Sequence, residues 1–327
     1  MRILDLRSGS TLVLGLLVSP TLAWSQATPQ AVPSAAMAFE LSAEVLDASS
    51  TQVANGIEVL ASDWPTLIIA KYHLQTIFGE AKGTCTASMV GPNVALMAAH
   101  CVDPRDADPS GDALAPTLKV GDRELKFKCE MHPAYRMRPL RMLSPRGSED
   151  FALCVLDDEG KPPQLLQTIR FEVVQTDGKL AKGAPVLMIG YGCDHVEIIN
   201  GRPRGIKADG KLRVGDGVID RSADSIPNAA AYATIRTRPG IEPALCPGDS
   251  GGPLFSGIEA KDPDQRRRVR GVNSSIDADG SDLVSSIATT GTPMFRTWAD
   301  DWLFRHAAYK PKACGLNVPP GEQLCRN

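Results

Sequence analysis

Short apolar or alternating runs recur along the chain, separated by clusters of Gly, Pro, Asp and Asn. The clearest of these runs are 66–70, 94–98, 151–156, 186–189 and 269–272. Runs of this length between turn-forming residues are typical of β-strands. Repeated over a span of about 250 residues, they predict an all-β protein of two packed antiparallel barrels. We expect the barrels over about 53–160 and 175–293.

The spacing of apolar residues changes near the C-terminus. Phe295, Trp298, Trp302, Leu303 and His306 fall on one helical face, which predicts an amphipathic helix over about 294–308. We assign its aromatic side chains to the core rather than to a ligand site. The domain then ends near residue 310, and 311–327 form a tail.

The N-terminus has the features of a secretion signal. Two arginines precede an apolar run at 12–22 and small residues at 23, 25 and 27, which predicts a signal peptide over 1–27. The apolar run is too short to span a bilayer comfortably, so we expect no membrane anchor and a secreted or periplasmic protein. Residues 28–52 are rich in Ala, Ser, Pro and Gln with little periodicity, which indicates a leader or propeptide.

Composition narrows the class of protein. The 327 residues are 43% hydrophobic and carry a net charge of −3, which fits a soluble globular protein without a nucleic-acid partner. We expect a monomer that needs no cofactor or metal. The acidic stretch 277–282 departs from the EF-hand spacing and is interpreted as a turn. The arginine-rich stretch 266–270 is interpreted as a charged hairpin leading into a strand.

Eight cysteines occur, and none of them forms a C-x-x-C pair. In an exported chain this pattern favours disulfides over zinc. Eight thiols allow 105 pairings, so spacing alone does not choose among them.

The most informative segment is Cys246–Phe255, in which a serine stands among glycines at 248, 251 and 252. Glycines let backbone amides approach a reacting group without a side chain in the way. Attack by Ser250 on a carbonyl would create an oxyanion that the amides of Gly248 and Ser250 could bind. Ser250 is therefore a candidate nucleophile for acyl transfer.

A serine hydroxyl needs a base, and two upstream residues supply the remaining chemistry. His100 would take the proton as general base and return it to the leaving group. Asp150 would fix the imidazole tautomer and stabilise the imidazolium. Both lie next to apolar residues in the sequence, which suits a desolvated site.

The segment Gly248–Gly252 also fits the G-x-S-x-G turn of α/β-hydrolases, which are often esterases. That fold places its acid and histidine after the serine, whereas the sole histidine after Ser250 is His306. A serine esterase is therefore the weaker alternative. A non-catalytic binding protein on a protease scaffold is the other, although such proteins usually lose one of the three catalytic residues.

At these residues the chain resembles the chymotrypsin/trypsin family of serine proteases, the family in which the Ser-His-Asp triad is usually described. The order His100, Asp150, Ser250 agrees with that family. The resemblance implies two Greek-key barrels with the site between them. It also implies a secreted serine endopeptidase that acts on proteins or peptides through an acyl-enzyme.

The resemblance also suggests disulfide pairs. Cys85 and Cys101 match the bond of the family's histidine loop, and Cys129 and Cys154 lie on segments that resemble adjacent strands. The usual partner of Cys246, in the loop after Ser274, is missing here. By the resemblance, Cys193 corresponds to a loop close to the serine turn, which implies a Cys193–Cys246 pair and leaves Cys314 with Cys325.

In such enzymes a newly formed α-amino group inserts beside the aspartate that precedes the nucleophile. Val53 and Asp249 are the matching positions, which implies a zymogen. Gln52 precedes Val53, in place of the Lys or Arg that trypsin-like activators cut after. The alternative is a leader that stays attached while another hydrogen-bond partner holds Asp249.

By the same resemblance Ala244 stands at the base of the specificity pocket, where trypsin-like enzymes carry an aspartate. Ser274, Ser275 and Ile276 correspond to the pocket wall. Without the carboxylate, Lys and Arg side chains would lose a charged partner. We expect an enzyme without trypsin specificity, cutting after small or medium apolar residues.

Overall fold

A computed structural model describes the chain in eleven pieces. They are residues 35–41, 53–76, 79–105, 112–120, 122–137, 149–157, 162, 164–208, 211–223, 232–261 and 266–326. The predicted signal peptide and most of the predicted leader lie outside the described residues.

The described residues contain strands, in chain order, at β1 Ala35–Leu41, β2 Ile57–Glu58, β3 Leu67–Thr76, β4 Gly79–Gly91, β5 Val94–Met97, β6 Thr117–Val120, β7 Arg123–Met131, β8 Ala152–Leu156, β9 Pro185–Gly190, β10 Cys193–Ile199, β11 Arg202–Ala208, β12 Arg213–Arg221, β13 Ala233–Thr237, β14 Pro253–Ser256, β15 Arg268–Asp279 and β16 Asp282–Thr289. The α-helices are α1 Ala99–Val102, α2 Pro133–Arg136, α3 Gln164–Thr168 and α4 Pro293–Arg305. Short 3-10 turns lie at Ala61–Asp63 and Ala307–Tyr309.

Seven strands form the first barrel, in the order β1-β3-β4-β5-β8-β7-β6. It closes where β1 pairs in parallel with β6, through Ala38 with Thr117 and Phe39 with Leu118. Six strands form the second barrel, in the order β13-β16-β15-β14-β9-β12, which closes through pairing of β12 with β13. The prediction of two packed antiparallel barrels is confirmed, with β2 added at the edge of the second.

Strand β1 lies inside the segment for which the sequence predicted a leader. It pairs antiparallel with β3 along its whole length, from Ala35 opposite Leu74 to Leu41 opposite Ile68. Met37, Phe39 and Leu41 point into the barrel and are almost wholly buried. The folded first barrel therefore draws on residues ahead of 53, which corrects the expectation that folded structure begins there.

A buried ion pair joins the two barrels. The carboxylate of Glu172, in the connection between the barrels, accepts hydrogen bonds of 2.6 and 2.9 Å from the guanidinium of Arg267, and both side chains are fully buried. Thr66 donates to the same carboxylate at 3.0 Å. The guanidinium carbon of Arg267 lies 3.8 Å from the ring centroid of Trp64. Of the arginine-rich stretch, Arg267 thus lies in the interior, and Arg270 is buried as well.

The C-terminal helix α4 begins one residue earlier and ends three residues earlier than expected. Thr292 caps it by accepting from the amide of Phe295, and Pro293 occupies its first turn. Phe295, Trp298 and Trp302 are buried, as the helical spacing predicted. None of the helices in the described residues is long and apolar enough to cross a membrane.

Candidate active site

The turn that carries Ser250 lies directly ahead of β14 and depends on its glycines. Gly248 and Gly251 have φ angles of +108° and +87°, which side-chain-bearing residues rarely adopt. A Cβ atom on Gly251 would lie 2.2 Å from the carbonyl oxygen of Thr86, and one on Gly248 would lie 2.8 Å from that of Tyr191. No other residue type fits this close approach of backbone to backbone.

The backbone amides of this turn fall into two groups, those that donate to a carbonyl oxygen and those that do not. Those of Asp249, Gly251 and Gly252 donate to carbonyl oxygens at 2.7 to 3.0 Å. Within the part of the chain that the structure describes, the amides of Gly248 and Ser250 donate to no protein acceptor. A pair of unused amides beside a serine hydroxyl is the arrangement that binds a developing oxyanion.

His100 and Asp150 form a hydrogen-bonded pair at the edge of the first barrel. His100 lies in α1, immediately after β5, and Asp150 lies just before β8, which pairs with β5. The Nδ1 atom of His100 is 2.8 Å from Oδ2 of Asp150, and the His100 amide donates to Oδ1 at 3.0 Å. The side chain of Asp150 is 2% exposed and that of His100 25% exposed. The imidazole is thus held by Asp150 and remains partly exposed.

The environment of Asp150 keeps it ionised. Burial opposes its charge, but the attraction of His100, two hydrogen bonds from His100 and one from Ser274 outweigh burial, so the pKa of Asp150 lies below its usual value. The hydroxyl of Ser274 donates to Oδ2 at 2.5 Å. A carboxylate that stays charged can stabilise a protonated imidazole.

Ser274 connects the carboxylate to the serine. Its carbonyl oxygen accepts from the Ser250 hydroxyl at 3.4 Å, while its own hydroxyl binds Asp150. On the histidine side, the Sγ atom of Cys101 lies 3.6 Å from the carbonyl oxygen of Ser250. Ser274 and Cys101 therefore bring the turn of Ser250 next to the His100–Asp150 pair.

Four disulfides are present, Cys85–Cys101, Cys129–Cys154, Cys193–Cys246 and Cys314–Cys325. They are the four pairs that the resemblance led us to expect. Among the described residues, the grouping with metal-ligand spacing is Cys85, His100 and Cys101. Its two sulfur atoms are joined in the first disulfide and are not thiolate ligands.

Asp249 lies in a backbone cradle. Its carboxylate accepts from the amides of Gly192 at 2.7 Å and Cys246 at 2.8 Å. Burial raises the pKa of Asp249 to about 7, although those two amides and the charge of Arg213 favour the ionised form. In the intact chain these groups, rather than an α-amino group of Val53, surround the carboxylate. Val53 is itself buried, and its carbonyl accepts from Gly56 at 2.6 Å.

The expected specificity residues occupy different environments. Ala244 is fully buried and belongs to an apolar cluster with Val196 of β10 and Leu283 of β16, against which the half-buried Ile276 packs. The hydroxyl of Ser274 binds Asp150, and the place of Ser274 in the pocket wall stays a prediction. The register of β15 against β16 shifts between Asn273 and Ser275. At such an irregularity the side chains no longer alternate regularly between the two faces of the sheet, so Ser274 does not follow the pattern of its neighbours. Ser275 is half-buried.

Sequence reasoning missed one contributor to the site. Thr86, on β4, hydrogen-bonds to the turn of Ser250 through its amide and its hydroxyl. No motif singles out this threonine, because its contacts join residues more than 100 positions apart.

The double barrel with a serine turn, a histidine and an aspartate at its seam has the chymotrypsin-like architecture. A family model described as Trypsin matches residues 58–299. The chain belongs to the trypsin family, and this membership supports a peptidase function. A sequence search of curated proteins returned no significant match.

Two solved structures are similar to the chain. A Glu endopeptidase in complex with MPD has 15% sequence identity and a TM-score of 0.42, over 70% of this chain and 86% of that one. A thermostable serine protease, AL20, from an extremophilic microorganism has 15% identity and a TM-score of 0.42, over 67% and 89%. Similarity at this level carries no information about which bond this chain would cut.

Proposed function

We propose that the protein is a secreted serine endopeptidase with Ser250 as nucleophile, His100 as general base and Asp150 as its orienting partner. The observation that carries the proposal is the pair of amides at Gly248 and Ser250, which have no acceptor among the described residues. Such a pair has no structural use in the resting turn. It is the feature that acyl transfer requires.

The reaction follows from this arrangement. The Oγ atom of Ser250 bonds to the scissile carbonyl carbon while its proton passes to His100, and the carbonyl oxygen takes the negative charge beside the two amides. His100 then protonates the leaving amine as the C–N bond breaks, which gives the acyl-enzyme. Water then gives a proton to His100 and attacks the ester carbon. The C–O bond to Ser250 breaks, His100 returns the proton to Oγ, and the acyl group leaves as a carboxylic acid. Throughout, Asp150 remains ionised and stabilises the imidazolium.

The apolar cluster that contains Ala244 supports a preference for small or medium apolar residues on the acyl side of the cleaved bond. Ala244, Val196 and Leu283 are each almost wholly buried, and none of them offers a charge to a Lys or Arg side chain. A panel of chromogenic peptides that vary at this one position tests the preference. Cleavage that is fastest after arginine would contradict it.

The disulfides support export, since such bonds persist in oxidising compartments. The leader is a separate matter. Of the two alternatives for the chain ahead of Val53, the pairing of β1 in the first barrel supports retention of residues 35–41 in the active protein. Determination of the N-terminus of active protein tests this, and an N-terminus at Val53 with no associated β1 fragment would exclude retention.

The test of the proposed function is peptide hydrolysis by matched serine variants. Ser250→Ala should lower kcat by about 10⁴-fold or more, because it removes the nucleophile. Ser256→Ala, at the end of β14, removes a hydroxyl from the same region and should leave kcat within about twofold. Equal activity of Ser250→Ala and wild type would refute the proposal. Binding of peptides without hydrolysis by folded wild-type protein would favour a non-catalytic binding protein.

A further inference from the structure

Thr86 belongs to the first barrel, but its polar groups bind the second. It lies on β4 next to Cys85 and is fully buried. Its amide donates to the carbonyl oxygen of Ser250 at 2.7 Å. Its hydroxyl donates to the carbonyl oxygen of Gly248 at 2.8 Å and accepts from the amide of Tyr191 at 2.9 Å. One side chain and one amide thus attach the serine turn to the opposite barrel.

The two carbonyls that Thr86 binds belong to the two residues whose amides are unused. At Gly248 the carbonyl is bound by Thr86 while the amide remains available. At Ser250 the carbonyl accepts from the Thr86 amide, while the Ser250 amide has no acceptor among the described residues. The amide and the carbonyl of one residue belong to consecutive peptide planes joined at its α-carbon, so once the carbonyl is held, the direction of the amide depends only on φ and ψ of that residue.

This restraint matters most at Gly248. Glycine has no side chain to limit rotation of the peptide groups on either side of it, and its φ of +108° is one of several that it can adopt. The peptide plane that joins Gly248 to Asp249 is held at one end by the Asp249 amide, which donates to the carbonyl oxygen of Cys246 at 3.0 Å. The Thr86 hydroxyl supplies the second attachment. Without it, that plane would keep one attachment, and the Gly248 amide, which lies in the plane before it, could turn away from the reacting oxygen more easily.

We propose that Thr86 is a positioning residue for the oxyanion site, which makes transition-state binding by the second barrel depend on a side chain of the first. This inference rests on the proposed function and adds a residue to it. Thr86 touches neither substrate nor reacting atoms. It acts through the orientation of two amides, so its loss should affect the transition state more than the bound substrate.

The test compares three variants by steady-state kinetics. Thr86→Val keeps the shape of the side chain and removes the hydroxyl, and it should lower kcat by about 10- to 100-fold with KM within about twofold. Thr86→Ser keeps the hydroxyl and should restore kcat to within about threefold of wild type. Thr290→Val is the control: Thr290 is also fully buried and its hydroxyl donates to a backbone carbonyl, that of Gln175, at 2.7 Å. It should lower stability with kcat within about twofold of wild type.

A second readout separates positioning from general damage. A peptide aldehyde forms a tetrahedral adduct whose oxyanion uses the same amides, so its affinity for Thr86→Val should fall by the same factor as kcat. The affinity of a non-covalent peptide inhibitor should stay within about twofold. If Thr86→Val does not fold, Thr86→Ala removes the same hydroxyl without a second methyl group, and the same comparisons apply.

The outcomes are distinguishable. A kcat of Thr86→Val within about threefold of wild type, an equal loss in Thr290→Val, or no rescue by Thr86→Ser would each overturn the inference. If Ser250→Ala is inactive in the same assay, the proposed function survives that result. If Ser250→Ala is as active as wild type, the proposed function fails and the inference about Thr86 fails with it.

Discussion

Removing the Phe39 ring should unfold the first barrel more readily, although Phe39 lies in the segment whose composition suggests a leader. The ring is 1% exposed and packs edge to face against Phe127, with ring centroids 5.4 Å apart. Replacing a buried phenylalanine by alanine costs about 3–5 kcal/mol, through lost apolar burial and the cavity left behind. Phe39→Ala should therefore lower the free energy of unfolding by that amount, measured by urea denaturation of the intact protein.

The control is Phe304→Ala, since Phe304 lies on α4 and is 82% exposed. It changes composition in the same way but should alter the free energy of unfolding by less than about 0.5 kcal/mol. If the two variants are equally stable, β1 is not a working part of the barrel in solution. Retention of the leader would then lose its support.

Two further predictions concern the junction between the barrels and the cradle around Asp249. Glu172→Gln breaks a fully buried ion pair and should lower the free energy of unfolding by about 3–5 kcal/mol, whereas Asp300→Asn breaks an exposed pair with Arg296 and should cost less than about 1 kcal/mol, both measured by urea denaturation. If both variants lose less than about 1 kcal/mol of unfolding free energy, Glu172 and Arg267 do not form a buried ion pair that excludes water. Asp249 has a pKa raised from 3.8 to about 7, so the native state holds its proton more tightly than the unfolded chain. Its contribution to stability is full below about pH 4 and is lost as the pH rises through about 7. Relative to Asp249→Asn, the wild-type protein should lose free energy of unfolding between about pH 4 and pH 7, and parallel curves for the two would contradict the raised pKa.

The candidate site residues stood out in the sequence because each lies in a short motif whose residue types serve the proposed chemistry. The glycines around Ser250 indicate a close backbone approach, and the distances of 2.2 and 2.8 Å at Gly251 and Gly248 show why they are needed. Strands of both barrels were equally visible at β3, β5, β8, β9 and β15, since their apolar runs stand between turn-forming residues. The disulfide pairs followed from a family resemblance and a single departure from it.

Other features were not recoverable in the same way. Strand β1 alternates Met37, Phe39 and Leu41 with more exposed residues, but the alanines at 35, 36 and 38 weakened the period and concealed it. The bond from the Ser274 hydroxyl to Asp150 was not foreseen either, because nothing in the sequence indicates the irregular register between Asn273 and Ser275. The role of Thr86 depends on contacts across the barrel seam, and nothing near it in the chain indicates them.

Covalent labelling of the folded protein tests the central claim most directly. A fluorophosphonate reacts with a serine only where a base activates the hydroxyl and amides stabilise the phosphoryl oxygen. After digestion, mass spectrometry should find the adduct on Ser250 in the wild-type protein, with labelling of His100→Ala slowed by about 10³-fold or more. An adduct on another serine, or equal labelling rates of wild type and His100→Ala, would contradict the account.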